Sequence, residues 1–120
     1  MTHRILLVED DASSRALLSH MLADLGYAVT TTATGDEAMQ YLYAEEHCDL
    51  AMTDVVMPGM SGMEFARRAH DARPGLPLIY VTGQPNAIND ALSAGYLVLP
   101  KPVTRLSLAG IIDDALETRT

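Results

Sequence analysis

Tryptophan is absent from this 120-residue chain, and phenylalanine and cysteine occur once each. The lone Cys48 excludes an internal disulfide framework and any multi-cysteine metal centre. It leaves a reducing, intracellular compartment as the expectation. Positive charge is scarce as well. Eight Lys+Arg stand against sixteen Asp+Glu, a formal net charge of -8, and Lys101 is the only lysine. A surface this acidic repels phosphate backbones, so the chain is not expected to bind nucleic acid directly. Long apolar runs are missing. Ile5 to Val8, ahead of the acidic triplet Glu9-Asp10-Asp11, is too short for a signal peptide or a membrane span. No glycine-rich phosphate loop follows that run, which argues against a Rossmann or P-loop nucleotide site. His3, His20, His47 and His70 share no metal-ligand spacing and are expected at the surface.

What is present is an alternation of apolar runs and helical patterns, with the length of one domain over 1–120. Ile5 to Val8, Tyr27 to Thr32, Leu50 to Thr53, Leu78 to Val81 and Tyr96 to Leu99 read as strands. Leu18, Met21, Leu22 and Leu25 recur at helical spacing before a stop at Gly26. Thr34 to Glu37 and Ser61 to Glu64 have capping-box form, with Glu37 expected to reach back to the Thr34 N–H and its helix to run on to Glu45. The second of these helices runs to about Ala72, before Pro74. A short, weak helix covers Asn86 to Ser93, and a last one Val103 to about Glu117, with Leu106, Leu108, Ile111, Ile112, Ala115 and Leu116 apolar. Five β/α units joined by right-handed crossovers predict an α/β fold. It is a doubly wound, five-stranded parallel sheet with helices on both faces.

Ligands of such sheets bind beyond the carboxyl ends of the strands. There the sequence places Glu9, Asp10 and Asp11, then Asp54, then Thr82-Gly83, then Lys101. Clustered carboxylates repel unless a cation joins them, and an open, oxygen-rich site suits Mg²⁺. A hydroxyl and an ammonium opposite suit a phosphoryl group, which makes Asp54 a candidate nucleophile for an acyl phosphate. Each residue alone has a plainer reading. Acidic residues after strands cap helices, Asp54 can form a turn, and Thr82-Gly83 and Lys101 can be ordinary loop residues. Their joint arrival at one rim favours the chemical reading. Met57, Met60 and Met63 read as packing.

Ile5 to Asp11, Asp54 to Glu64 with its Met57-Pro58-Gly59 and Gly62, Val81-Thr82-Gly83 and Lys101-Pro102 together resemble the receiver domain of two-component response regulators, the CheY-like superfamily. The resemblance runs over essentially the whole chain. It implies a flavodoxin-like sheet in strand order 2-1-3-4-5 flanked by five helices. It implies Asp54 as phosphoacceptor and Mg²⁺ held by Asp10, by Glu9 through water, by Asp54 and by the Val56 carbonyl. Thr82 and Lys101 would bind the phosphoryl group, with a cis Lys101-Pro102 bond. The donor would be a histidine kinase or phosphotransfer protein, the reader an output protein, and the setting the cytoplasm. A weak homodimer is left open. Val56 and Gln84 occupy positions that modulate dephosphorylation. The family's aromatic switch, three residues before the lysine, is Val98 here, with Tyr80 the candidate substitute and Tyr96 a half-buried strand aromatic. Pro85 and the short Ala94-Gly95 junction mark the face where receivers dimerise or bind their outputs. A stand-alone regulator, a receiver cut from a hybrid kinase or larger regulator, and an aspartyl phosphatase are the three readings. The last generally needs an Asp where Val56 stands.

Overall fold

Residues 2–93 and 96–117 are described by the computed structural model. The chain alternates β1 (Arg4–Val8), α1 (Ala12–Asp24), β2 (Ala28–Thr32), α2 (Gly35–Tyr43), β3 (Leu50–Thr53), α3 (Gly62–Ala72), β4 (Leu78–Thr82), α4 (Pro85–Ser93), β5 (Leu97–Pro100) and α5 (Arg105–Glu117). The strands are all parallel, in the order β2-β1-β3-β4-β5. The sequence predicts this architecture, and the physical reason is visible in the burial. Side chains alternate across a strand, and here both faces are covered. Ile5, Leu7, Leu50, Met52, Ile79 and Val81 meet Leu18, Met21 and Leu22 of α1 and Leu108 and Ile112 of α5. Leu6, Val8, Ala51, Leu78 and Tyr80 meet Ala38, Met39 and Leu42 of α2 and Phe65, Ala66 and Ala69 of α3. The outer strand β2 is only partly covered and can carry Thr30, Thr31 and Thr32.

The helix ends follow local chemistry. Leu25 caps α1 and Gly26 takes φ 95°, a conformation that favours glycine. The Thr34 and Ser61 hydroxyls each accept an N–H three residues on, from Glu37 and Glu64, both at 3.1 Å. The return bond expected of Glu37 is replaced: its carboxylate meets the Thr34 hydroxyl at 3.5 Å. Glu64 turns to Arg67 and Arg68 one helical turn on. The expected extension of α2 to Glu45 is also corrected. Arg73 donates to the Leu42 carbonyl at 3.1 Å and Glu45 turns away with φ 60°. In α5, Thr104 caps the helix by accepting the Ser107 N–H at 3.0 Å, so helical structure starts after Val103. Leu106 points out, 85% exposed. Pro85 opens α4, where its missing N–H costs nothing. The Ala94-Gly95 junction lies outside the described residues. Among the described residues, no helix is long and apolar enough to cross a membrane.

Candidate functional site

The carboxyl ends of the strands converge on one ammonium. Glu9 follows β1, and its N–H donates to the Thr32 carbonyl at 3.1 Å. Its residue is 2% exposed, yet it carries a carboxyl group. One carboxylate oxygen accepts from Lys101 Nζ at 3.0 Å and the other from the Asp11 N–H at 3.3 Å. Asp54 follows β3, tied to β1 by its N–H to the Val8 carbonyl at 3.4 Å. Its Oδ1 accepts from the Val56 N–H at 3.2 Å and its Oδ2 from Lys101 Nζ at 3.4 Å. Thr82 closes β4 wholly buried. Its hydroxyl accepts the Gln84 N–H at 3.2 Å, and its carbonyl accepts the Lys101 N–H at 3.0 Å. The Lys101-Pro102 bond is cis, as the resemblance implies.

Burial pushes the Glu9 carboxyl up, against the Lys101 hydrogen bond and the Asp11 N–H that favour its charge. Burial works against the Lys101 charge too, but the hydrogen bond and charge of Glu9, with Asp54 beside it, hold the ammonium above the usual lysine range. Lys101→Met should therefore leave Glu9 buried beside a single N–H. Breaking a buried pair costs about 3–5 kcal/mol, and the part-exposed lysine reduces the expected loss to about 2 kcal/mol at neutral pH. The sign with pH follows. The variant's Glu9 pKa rises further above its unfolded value, so the deficit is small in acid and grows as pH rises through that pKa. Urea melts in metal-free buffer at acid and neutral pH check this, and an equal loss at both would refute it.

Local turns hold these groups. The plain readings of Asp54 and Thr82 as turn residues and the chemical readings describe the same side chains, since each accepts an N–H two residues ahead. Asp11 is different. It caps α1 by accepting the Ser14 N–H at 2.8 Å, a bond that holds its carboxyl below the usual range. Asp10 lies exposed between them. Gly62 is buried where a Cβ would lie 2.0 Å from the Asp54 carbonyl oxygen, and its N–H donates to the Val55 carbonyl at 2.9 Å.

Among the described residues, no three His, Cys, Asp or Glu side chains stand close enough to enclose an ion. A hard cation such as Mg²⁺ does not need such a cage, because it keeps several waters and takes one or two carboxylates. The carboxylates at this rim, Glu9, Asp10 and Asp54, offer oxygen ligands only, the chemistry such an ion takes.

The structure thus brings Glu9, Asp54, Thr82 and Lys101 to one rim, with Asp10 on the same turn as Glu9. Val56 is exposed beside Asp54, and Gln84 is exposed beside Thr82. Tyr80, two residues before Thr82 on β4, lies wholly buried, pairs in register with Val98, and stands edge-on to the half-buried Tyr96 at 5.1 Å. Among the described residues its hydroxyl has no hydrogen-bond partner. Tyr80→Phe should raise stability by up to about 1 kcal/mol, because an unsatisfied buried hydroxyl is costly. Thermal denaturation reads this as a melting point up by several degrees, and a lower one would contradict the burial argument.

Two features escaped the sequence reading. Arg15, in the opening of α1, donates to the Glu9 carbonyl at 2.8 Å and the Asp10 carbonyl at 3.3 Å. A cation at a helix N-terminus opposes the macrodipole, and that misfit was the available signal. His3 and His47, exposed as expected, approach the Asp49 carboxylate at the opposite end of the sheet, at 3.6 and 3.0 Å. Met57 is buried and Met60 and Met63 pack on the core, as packing residues do.

A family model described as Response regulator receiver domain matches residues 5–113. The chain belongs to the response regulator receiver family. It is a signalling domain of two-component systems. The receiver is 35% identical to the transcriptional regulatory protein GlrR of Escherichia coli over 98% of this chain, which is 28% of that protein. The chain thus spans about a quarter of that relative's length. It is 45% identical to the response regulator receiver protein CpdR of Brucella abortus, over 67% of this chain and 66% of that one. Chemotaxis protein CheY4 of Vibrio cholerae superposes with a TM-score of 0.85 at 29% identity, covering 97% of this receiver and all of that chain.

Proposed function

We propose that this receiver, as one unit over 1–120, accepts a phosphoryl group on Asp54 and changes its binding to an output protein in response. The observation that carries the reading is the Asp54 carboxylate held between the Val56 N–H and the Lys101 ammonium, beside the buried Glu9. Asp10, Asp54 and the Val56 carbonyl would hold Mg²⁺, with Glu9 acting through water, and the ion supplies charge neutralisation on the transferring oxygens. The donor is a phosphohistidine on a histidine kinase or phosphotransfer protein. An Asp54 oxygen bonds to phosphorus as the phosphorus–nitrogen bond breaks, and the departing imidazole takes a proton from water. Lys101 then pairs with the phosphoryl group in place of Asp54 and Glu9. The Thr82 hydroxyl, which already accepts the Gln84 N–H, still has a proton to donate.

Movement of Thr82 toward the anion empties space on its face of β4. Tyr80, two residues back on the same face, is the aromatic that can answer, because among the described residues no hydrogen bond fixes its hydroxyl. Val98 has no hydroxyl to report the change. Val56 is 57% exposed and apolar, so it shields the phosphoryl group without orienting water, while the Gln84 side chain offers a polar contact. Val56 favours a long-lived acyl phosphate, and the polar Gln84 partly offsets that. The buried thiol of Cys48 fits a reducing cytoplasm.

Acting through a separate output protein has a parallel in the short CpdR match. The long GlrR match supplies the other arrangement, a receiver as one part of a larger chain. The test of the reading is acetyl phosphate with Mg²⁺. It should add one phosphoryl group per chain, and excess EDTA should prevent it. Full labelling in EDTA would overturn the metal requirement.

A further inference from the structure

The geometry points to Arg15 as the positioning residue that holds the acidic turn open for its cation, an inference that rests on the reading of Glu9, Asp10 and Asp54 as a Mg²⁺ site. Three consecutive carboxylates, Glu9, Asp10 and Asp11, follow β1, and they repel one another. Two of them are fixed by their own side chains. Glu9 is tied to Lys101 and to the Asp11 N–H, and Asp11 is spent capping α1. The Asp10 side chain lies exposed between them. Its direction is set by the peptide planes on either side of it, whose carbonyls belong to Glu9 and Asp10. Both of those carbonyls accept from one nitrogen, Arg15 Nη1, at 2.8 and 3.3 Å. Arg15 is half-buried, and its own N–H is bonded to the Asp11 carbonyl at 2.8 Å. Helix α1 therefore clasps the turn by its backbone, through the carbonyls of Glu9 and Asp10.

The charge of Arg15 and its hydrogen bonds pull in opposite directions, and this makes the inference testable by sign. A positive charge close to a cation site repels the cation. If charge were its whole effect, removing it would tighten Mg²⁺ binding. If Arg15 acts by fixing the turn, removing it weakens Mg²⁺ binding, as loss of a group supporting a metal ligand does, by tenfold or more. Arg15→Met keeps a long apolar stem and loses every donor. Arg15→Lys keeps charge and a shorter donor.

The experiment is calorimetric titration of chelator-treated full chain with MgCl₂ for wild type, Arg15→Met, Arg15→Lys and Asp10→Asn, with metal-free melting curves for each. Arg15→Met is expected to weaken Mg²⁺ about tenfold. Arg15→Lys should recover part of the loss, and Asp10→Asn should lose at least as much. A merely structural arginine would lower the melting point and leave the affinity of the folded protein alone. Unchanged or tighter binding by Arg15→Met, with Asp10→Asn weakened, overturns the role of Arg15 and leaves the site standing. No Mg²⁺ binding by wild type, or none lost in Asp10→Asn, overturns the reading of the site itself.

Discussion

Gly62→Ala is expected to slow phosphorylation of this receiver about 100-fold, the loss that goes with misplacing a reacting group by about 1 Å. The added Cβ would sit 2.0 Å from the Asp54 carbonyl oxygen and 2.8 Å from the Asp54 carbonyl carbon and the Val55 Cα. All three are backbone atoms, so no side chain can swing aside. Either α3 retreats or the start of the loop shifts by more than an ångström. The loop is Asp54 itself, and its Oδ1 and Oδ2 lose register with the Val56 N–H and the Lys101 ammonium. Overpacking of this kind costs about 1–3 kcal/mol, so the variant should fold but melt earlier. Gly110→Ala is the control. Its Cβ meets nothing within 4 Å, it lies inside α5, and it should gain up to about 1 kcal/mol with labelling unchanged. Rates of labelling with acetyl phosphate check both. A wild-type rate in Gly62→Ala would show that the loop tolerates the shift.

Asp54→Asn should reduce phosphoryl incorporation to background. An amide oxygen carries no charge to attack phosphorus, and no neighbouring carboxylate stands ready to replace it. Glu9 is 2% exposed with both oxygens engaged, and Asp11 is committed to the α1 N-terminus. Asp10, the remaining carboxylate of the turn, is the one proposed to hold the cation. The variant keeps the shape of the side chain and the Val56 N–H bond, so its stability should stay within about 1 kcal/mol of wild type. Mass measurement of the intact chain after acetyl phosphate treatment reads the result. Substantial labelling of the variant would mean that another residue is the acceptor.

The five parallel strands and the two-faced core were legible because periodicity carries them directly, whereas the strand order came from the resemblance to the receiver family. Continuous apolar runs such as Ile5 to Val8 say that both faces are covered, and the helical spacing of Leu18, Met21 and Leu22 says by what. The rim was legible because Asp54, Thr82 and Lys101 each end a strand. Contacts decided by a partner far along the chain were not legible. Glu45 leaves α2 because Arg73 meets the Leu42 carbonyl, and nothing local at Glu45 announces that. Glu64 is a local case of a different kind: two nearby arginines, Arg67 and Arg68, compete with the cap for its carboxylate, and the capping-box pattern alone does not say which wins. The need for glycine at 62 is a collision between a helix start and a backbone eight residues earlier. Arg15 looks like a surface residue until the carbonyls behind Glu9 and Asp10 are seen.

The central claim is that Asp54 becomes an acyl phosphate. Reduction of the phosphorylated chain with borohydride converts an aspartyl phosphate to homoserine, which peptide mass spectrometry locates. After acetyl phosphate and Mg²⁺, homoserine is predicted at residue 54 alone, and not after treatment in EDTA. Homoserine at another aspartate, or labelled protein with none at 54, would contradict the account.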